Sequence, residues 1–530
     1  MKLTFTDADH RRMKSLGISA DCVLDQIATL RRSEFFVRLR RPCTPLDGIR
    51  QFDDEALARF KLLHAGAARE GRFTKFVPAS GAATRMFQSI LSIYYLPQYL
   101  ERDELQKRVA QGVLIACDFK HFIDELARFP FTAELARALA RDGQSLDGLI
   151  REGRFRTLLE YLLTERGLNY RNLPKALLLF HAYPEESRTA FEEQLRESPG
   201  YLGADTAAGV HFTVSEEHLE GFLRLELELC QRLAERHGAT FQISFSFQKT
   251  STNTIAVNMK GMPFRDRLGR LHFRPAGHGA LVENLSELNA DLIYIKNVDN
   301  VVPDRLKESV HFWKRALGGC LVAIQQAVHS LLRRLAGSDW ANAIGEAATF
   351  ASSELLLDFP AEFANWPEGQ KRAFLIDALD RPIRICGVVA NAGEPGGAPF
   401  WVEDAKGRLT LQIVEKAQVD LSSPQQHALW NSSTHFNPVD IVCGLRNFEG
   451  KNFDLKNFVD PGAVIITRKS IEGTDVHAIE LPGLWNGGMA RWITLFVEVP
   501  QFTFNPVKSV FDLLRPEHQP EDDTILRRSC

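Results

Sequence analysis

The sequence predicts an α/β protein with a mixed, mostly parallel sheet, two helical insertions and a β-rich C-terminal part. Three observations carry that expectation. Short β-rich runs at residues 73–78, 210–214, 239–247 and 291–295 are separated by helical patterns, the rhythm of βαβ units. Two long stretches, 87–172 and 303–380, are rich in Leu, Arg, Glu and Ala at helical spacing, with breaks in the first at Pro97, Pro130 and Gly143. Residues 381–530 return to β-rich segments dense in Asn, Asp and aromatic residues.

Composition narrows the class. At roughly 100–200 residues per domain, 530 residues correspond to about three to five domain-sized units. The 45% hydrophobic and 25% charged content excludes disordered, collagen-like and multi-span membrane chains. Lys and Arg number 64 against 67 Asp and Glu, a net charge of -3, so the basic excess of a nucleic-acid binder is missing. Phe is unusually abundant, 36 against 8 Tyr and 7 Trp. The 8 cysteines stand at no metal-knuckle or redox spacing and read as reduced thiols, with Cys530 at the end. Residues 1–7 lead into charged residues without a secretory apolar run, which makes the cytoplasm the expected compartment. Nothing in the pattern sets an oligomeric state.

Element by element, the first seventy residues read as amphipathic helices, with Asp7 or Asp9 as an N-cap and a second helix near Asp53, together clasping the domain that follows. A strand at 73–78 runs into Ser80-Gly81-Ala82-Ala83-Thr84-Arg85-Met86 and a helix N-terminus. Residues 71–86 and 173–302 form the expected α/β core around the insertion at 87–172. Within it, a helix over 216–237 separates two strands, and a helix over 279–288 precedes the strand at 291–295. The Gly/Pro-rich segment 391–397 reads as a surface hairpin or linker.

Four groups of residues could carry chemistry. The small residues Ser80, Gly81, Ala82, Ala83 and Thr84 would let backbone N–H groups approach a phosphate, with Arg85 as a fixed cation; a packing turn is the plainer alternative. Lys175 after Pro174 could meet a triphosphate, or could be a solvated lysine before a buried strand. Gly277-His278-Gly279 would let backbone lie flat against a base or sugar, or could be an ordinary turn. Asp299, between Asn297 and Asn300 at a strand's carboxyl end, suits Mg²⁺, or caps the next helix. The buried Asn and Asp of the C-terminal third either hydrogen-bond structurally or meet a polyhydroxylated ligand. No nucleophile elbow, zinc-protease helix, P-loop or GxGxxG fingerprint is present.

The order of these motifs resembles the UDP-sugar pyrophosphorylases, the UTP–sugar-1-phosphate uridylyltransferases. The resemblance extends through Gln412–Val419, Phe436-Asn437 and the run from Phe504 to Leu514, and covers about Lys75 to Leu514 in colinear order. The whole chain also resembles a bacterial family known as domain of unknown function 4301. The first resemblance implies a GT-A-like, Rossmann-like nucleotidyltransferase fold, with residues 381–530 as the sugar-phosphate half. It implies transfer of a nucleotidyl group, uridylyl from UTP favoured, to a sugar-1-phosphate with release of pyrophosphate and with Mg²⁺ as cofactor. Arg85, Lys175, Asp299 and Lys508 would be catalytic, Asp299 holding the metal. Ser80, Gly81, Ala82, Ala83, Thr84, Gln248, Gly277, His278 and Gly279 would bind the nucleotide, and Glu415, Asn437 and Asn300 the sugar phosphate. The partners are then small molecules, without nucleic acid or membrane.

Two departures matter. Ala83 stands where that family has a second glycine, and the 87–172 insertion far exceeds the common α/β loop of about 2–6 residues. Two other functions are consistent with the same fold. A glycosyltransferase that consumes an NDP-sugar would call for a second carboxylate near Asp299, where Asn297 stands; a non-catalytic nucleotide-sugar binding protein would have no need of the four charged residues.

Overall fold

The computed structural model describes residues 4–31, 35–203, 208–237, 241–393, 396–404, 406–471 and 473–520. The expected strand start at 239–240, part of the 391–397 segment and Cys530 lie outside them. The chain forms two compact units: Met1–Phe76, Phe245–Ile295 and Trp313–Gln501 make the first, and Val77–Ser244, Lys296–Phe312 and Phe502–Cys530 the second. The core expected at 71–86 and 173–302 is therefore divided, because the strands Phe73–Pro78, Phe241–Phe247 and Leu292–Lys296 each change unit along their own length.

The first unit contains a mixed, mostly parallel sheet. In spatial order its strands are Thr44–Pro45, Gly48–Arg50, Ile493–Glu498, Ile383–Ala390, Asp440–Gly444, Leu292–Lys296 and the first residues of Phe73–Pro78. Leu292 to Ile295 run parallel to Phe73 to Phe76, and Ile383 to Val388 run parallel to Ile493 to Glu498. Asp440–Gly444 is antiparallel to Ile383–Ala390. Every residue of Leu292–Lys296 is buried, as is all of Ile383–Ala390 except Ala390, the continuous apolar run that a strand covered on both faces requires. Phe76, Ile293, Ile295, Val388, Ile441 and Phe496 share one core. Lys314 and Asp440 form a buried ion pair beside it.

Two smaller antiparallel sheets complete this unit. One runs Phe273–Arg274, Thr254–Asn258, Thr474–Glu480 and Ile465–Ile471; the other Arg38–Pro42, Ala398–Glu403 and Leu409–Val414. The segment 391–397 is thus no hairpin, since the strands on either side of it belong to different sheets. The N-terminal reading also needs correcting. Helices Asp7–Leu16, Ala20–Leu30 and Asp54–Arg69 are present, but three short strands between Arg38 and Arg50 separate the second from the third. Thr6, not Asp7 or Asp9, caps the first helix; Asp9 closes the capping box and also pairs with Arg265 at 2.8 Å. Met13, Val23 and Ile27 of these helices bury against Ile255, Val257 and Ile479, so they fasten to a β-sheet of their own unit.

In the second unit the expected insertion is six helices from Gln88–Tyr94 to Phe155–Leu163. Its core gathers four of the phenylalanines: Phe119, Phe122, Phe129 and Phe131 pack ring against ring with centroids 5.1–6.4 Å apart. Thr132–Arg141 buries Leu135, Ala138 and Leu139, an i, i+3, i+4 stripe. The other expected insertion is Asp304–Ala336, Trp340–Ser353 and Glu368–Leu379. No helix among the described residues is long and apolar enough to cross a membrane.

Candidate functional site

The loop at residues 80–86 leaves the Phe73–Pro78 strand and does not open a long helix. Ala83–Arg85 form one 3₁₀ turn, and a seven-residue helix starts only at Gln88. The helix-dipole part of the phosphate expectation is correspondingly weakened, while the backbone and the cation remain. Ser80, Gly81, Ala82, Thr84 and Arg85 are exposed, and Arg85 has no ion-pair partner among the described residues. Ala83 is fully buried. The alanine is accommodated because its position points inward, where a methyl group packs. Gly81 has ordinary backbone geometry, and a Cβ there would meet nothing within 4 Å.

Two distant segments of the same unit are stitched to this loop. The Lys175 N–H donates to the Gly81 carbonyl at 3.0 Å, and Ala82 bridges Pro174. The Val510 N–H donates to the Met86 carbonyl at 2.9 Å. From this frame Lys175 Nζ reaches Asp299 Oδ2 and the Val507 carbonyl, both at 2.8 Å, and Lys508 Nζ lies 3.5 Å from the same Asp299 oxygen. Burial pushes the Asp299 carboxyl up, but Lys508 and Lys175 outweigh it and hold the group below its ordinary value. The side chains of Lys175 and Asp299 are 13% and 9% exposed and that of Lys508 is 49% exposed, so one ammonium is recessed and the other faces solvent.

The Asp299 neighbourhood is itself braced. The Val507 N–H donates to the Asp299 carbonyl at 3.0 Å, and the Asn505 N–H to Asn300 Oδ1 at 2.9 Å. Asn300 is 2% exposed and its Nδ2 has no partner among the described residues. Gln194, which the sequence did not single out, donates to the carbonyls of Asn297 and Val298 and fixes the approach to Asp299. Asp512 accepts from the N–H groups of Lys508 and Ser509 at 2.7 Å each and orients the exposed lysine.

One carboxylate oxygen of Asp299 is shared by two ammonium groups. Asp299 serves here as the counter-charge of two lysines.

The first unit holds the other expected residues. Gly277 has φ +76°, and a Cβ on Gly279 would lie 2.2 Å from the Pro482 carbonyl oxygen, so both glycines have packing reasons. Between them His278 stacks on Trp485, ring centroids 4.2 Å apart, and its Nδ1 accepts the Leu484 N–H at 3.1 Å. Burial holds this imidazole below its ordinary value despite Glu480. Nε2 of His278 is 3.9 Å from Glu415. Burial, reinforced by Glu480, raises the Glu415 carboxyl. An aromatic platform edged by two carboxylates results; the sequence marks Trp485 only within the dense C-terminal run 482–489, and Glu480 belongs to no motif. Gln248 follows the Phe241–Phe247 strand and its amide faces Thr252 at 3.4 Å. Asn437 departs from expectation. It is 2% exposed, its Nδ2 donates to the Gly387 carbonyl at 2.8 Å and its Oδ1 accepts the Val439 N–H at 3.0 Å, bracing a turn in which Val439 has φ +58°. That amide is committed to backbone and does not reach out for a sugar.

Residues 6–519 match the family model described as Domain of unknown function (DUF4301). No curated protein matches the chain. Among solved structures, the chain is similar to the uridine diphosphate N-acetylglucosamine pyrophosphorylase of Trypanosoma brucei in complex with an inhibitor, at 10% identity and TM-score 0.49, over 96% of this chain and 79% of that one. It is also similar to a UDP-glucose phosphorylase of Trypanosoma brucei, at 13% identity, TM-score 0.43 and coverage of 96% and 77%. A mutant UDP-glucose pyrophosphorylase of Leishmania major in complex with UDP-glucose gives 11%, 0.44 and coverage of 98% and 83%. Identities and scores this low carry no assignment of activity.

Proposed function

The chain belongs to the DUF4301 family, and from that premise and the lysine cluster we propose that it is a sugar-1-phosphate nucleotidyltransferase, with UTP as the favoured nucleotide. One observation carries this reading: Lys175 and Lys508 converge on Asp299 beside the exposed loop that bears Arg85. Three cations reached from separate parts of the chain suit a ligand with several phosphate charges, and the motif order that brings them together resembles that of the UDP-sugar pyrophosphorylases.

In the proposed reaction a phosphate oxygen of the sugar-1-phosphate attacks the α-phosphorus of the triphosphate in line. The new P–O bond forms as the bond to pyrophosphate breaks, and the pyrophosphate leaves with its electron pair. The nucleophile is already an anion, so no general base is needed. Catalysis then consists of placing the two substrates and neutralising charge. Arg85 and the backbone of residues 80–84 would receive the triphosphate. Lys175 and Lys508, aligned by Asp299, would receive the phosphate oxygens on which charge accumulates.

The test is to incubate the full chain with each nucleoside triphosphate, supplied as its magnesium complex, and a panel of sugar-1-phosphates. Pyrophosphate and NDP-sugar should appear in equal amounts. Intact triphosphate across a broad panel overturns the reading.

A further inference from the structure

At the amino ends of two parallel strands, Ile383–Ala390 and Ile493–Glu498, the first unit holds a cavity that the proposed reaction does not use. Open α/β sheets bind their substrates beyond the carboxyl ends, the opposite edge. The cavity measures about 70 Å³. Leu356, Phe374, Ala378, Leu409 and Leu411 give it an apolar wall. Leu356 has φ +53°, a left-handed angle uncommon for leucine, within a run from Leu355 to Asp358 that lines the cavity throughout.

Two buried donors at this wall lack acceptors. Trp492 lines the cavity and is 6% exposed, and its indole Nε1–H, which can only donate, has no partner among the described residues. Thr494, two residues along, also lines it and stands opposite Arg384 in the parallel register. Its hydroxyl accepts from Nε of Arg384 at 2.8 Å. Arg384 is fully buried; its Nη1 donates to the Trp485 carbonyl at 2.6 Å, and its Nη2 has no partner among the described residues. A guanidinium held only by a hydroxyl and a carbonyl is costly to bury unless an opposite charge comes near. The other arginines of the lining, Arg381 and Arg408, are each paired at 2.9 Å, with Asp377 and Asp404, and the Asp358 carboxylate accepts the Leu409 N–H at 2.9 Å. The unmatched charge is therefore the positive one on Arg384.

An apolar wall with one free N–H and one uncompensated cation beside it suits an amphiphile with a single negative head. A water takes about 10–15 Å³ of such a cavity, so the space holds roughly five to seven non-hydrogen atoms. We propose that this cavity is a second ligand site, for a small organic monoanion of the short-chain carboxylate class. Its carbon chain packs on Leu356, Phe374 and Leu409, and its carboxylate accepts from Trp492 and offsets the charge of Arg384. An inorganic anion would leave the apolar wall uncovered, and a neutral amphiphile would leave Arg384 uncompensated. The cavity belongs wholly to the first unit and the lysine cluster to the second, so the proposal does not rest on the nucleotidyltransferase reading.

The experiment titrates the full chain, carrying ¹⁵N-labelled tryptophan, with butyrate, with its uncharged isostere butyramide and with inorganic phosphate, and follows the indole N–H signals by NMR. The signal missing from the spectrum of Trp492→Phe should move downfield with butyrate, with a Kd below about 1 mM. Butyramide and phosphate should bind at least about tenfold more weakly, and Trp492→Phe, its fold checked by circular dichroism, should weaken butyrate by a similar factor. A wild-type crystal soaked in 4-bromobutyrate should place the bromine against Phe374 and Leu409 and the carboxylate at Trp492 Nε1. No indole shift up to about 20 mM butyrate, equal affinity for butyramide or phosphate, an unchanged affinity in folded Trp492→Phe, or a bromine outside this cavity overturns the proposal. If Trp492→Phe does not fold, the butyrate–butyramide comparison and the bromine position in the wild type decide.

Discussion

Lys175 Nζ lies 2.8 Å from Asp299 Oδ2, although the two residues are 124 positions apart, and both side chains are recessed from solvent. A buried ion pair of this kind is weak evidence for stability, but removing one partner leaves the other uncompensated. The predictions begin from that asymmetry.

Asp299→Asn leaves two ammonium groups without their carboxylate. We expect a loss of roughly 3 kcal/mol, at the low end for a buried pair because Lys508 is half exposed. The native carboxyl titrates below its unfolded value of about 3.9, so its contribution is complete above that pH and disappears as the pH falls through the native value. Urea titrations between neutral pH and pH 3 should therefore show a shallower acid slope for the variant.

Arg85→Gln and Lys508→Met should separate binding from chemistry. Arg85 is exposed and unpaired among the described residues, so its loss should leave the melting temperature within error and raise KM for the triphosphate. Lys508→Met should instead lower kcat by about 10²–10³, the scale of losing one preorganised charge-stabilising donor. Steady-state kinetics decide, and equal effects on KM alone would remove Lys508 from the chemical step.

Two glycines of the recognised motifs should behave oppositely. Gly279→Ala drives a methyl group to within 2.2 Å of the Pro482 carbonyl, and should cost roughly 2 kcal/mol and alter the fluorescence of Trp485 through its stack on His278. Gly81→Ala meets open space at an ordinary backbone angle, and should leave stability unchanged or raise it by up to about 1 kcal/mol.

Asn437→Ala removes both amide contacts to a buried turn. A loss of about 1–3 kcal/mol in denaturant unfolding is expected, with kcat and KM of the folded protein unchanged. A selective rise in KM for the sugar phosphate would restore Asn437 to the binding site.

How much of this was legible beforehand varies with the range of the interaction. The Phe73–Pro78 strand, both helical insertions and the capped helix after Asp53 follow from local periodicity and capping chemistry, and the structure contains them. Motif order brought Arg85, Lys175, Asp299 and Lys508 to attention, because each sits in a short run of recognisable type. Their relation to one another was not legible. That Asp299 meets two lysines at once, and that Asn437 braces a turn, depend on which distant group occupies the neighbouring space.

The sequence by itself determined the helical insertions, the strand at 73–78 and which charged residues accompany the small-residue loop, since those properties are set within a few residues of each position, whereas the short strands between Arg38 and Arg50 escaped it. Only the tertiary structure decided that strands at 73–78, 241–247 and 292–296 change unit midway, that Trp485 supports His278, and that Glu193, His181 and His518 share a buried line. The physical reason is desolvation. Burial turns an isolated histidine or carboxylate into a group that must find a partner, and the partner is supplied by folding from anywhere in the chain: 12 residues away for Glu193 and His181, 337 for His181 and His518.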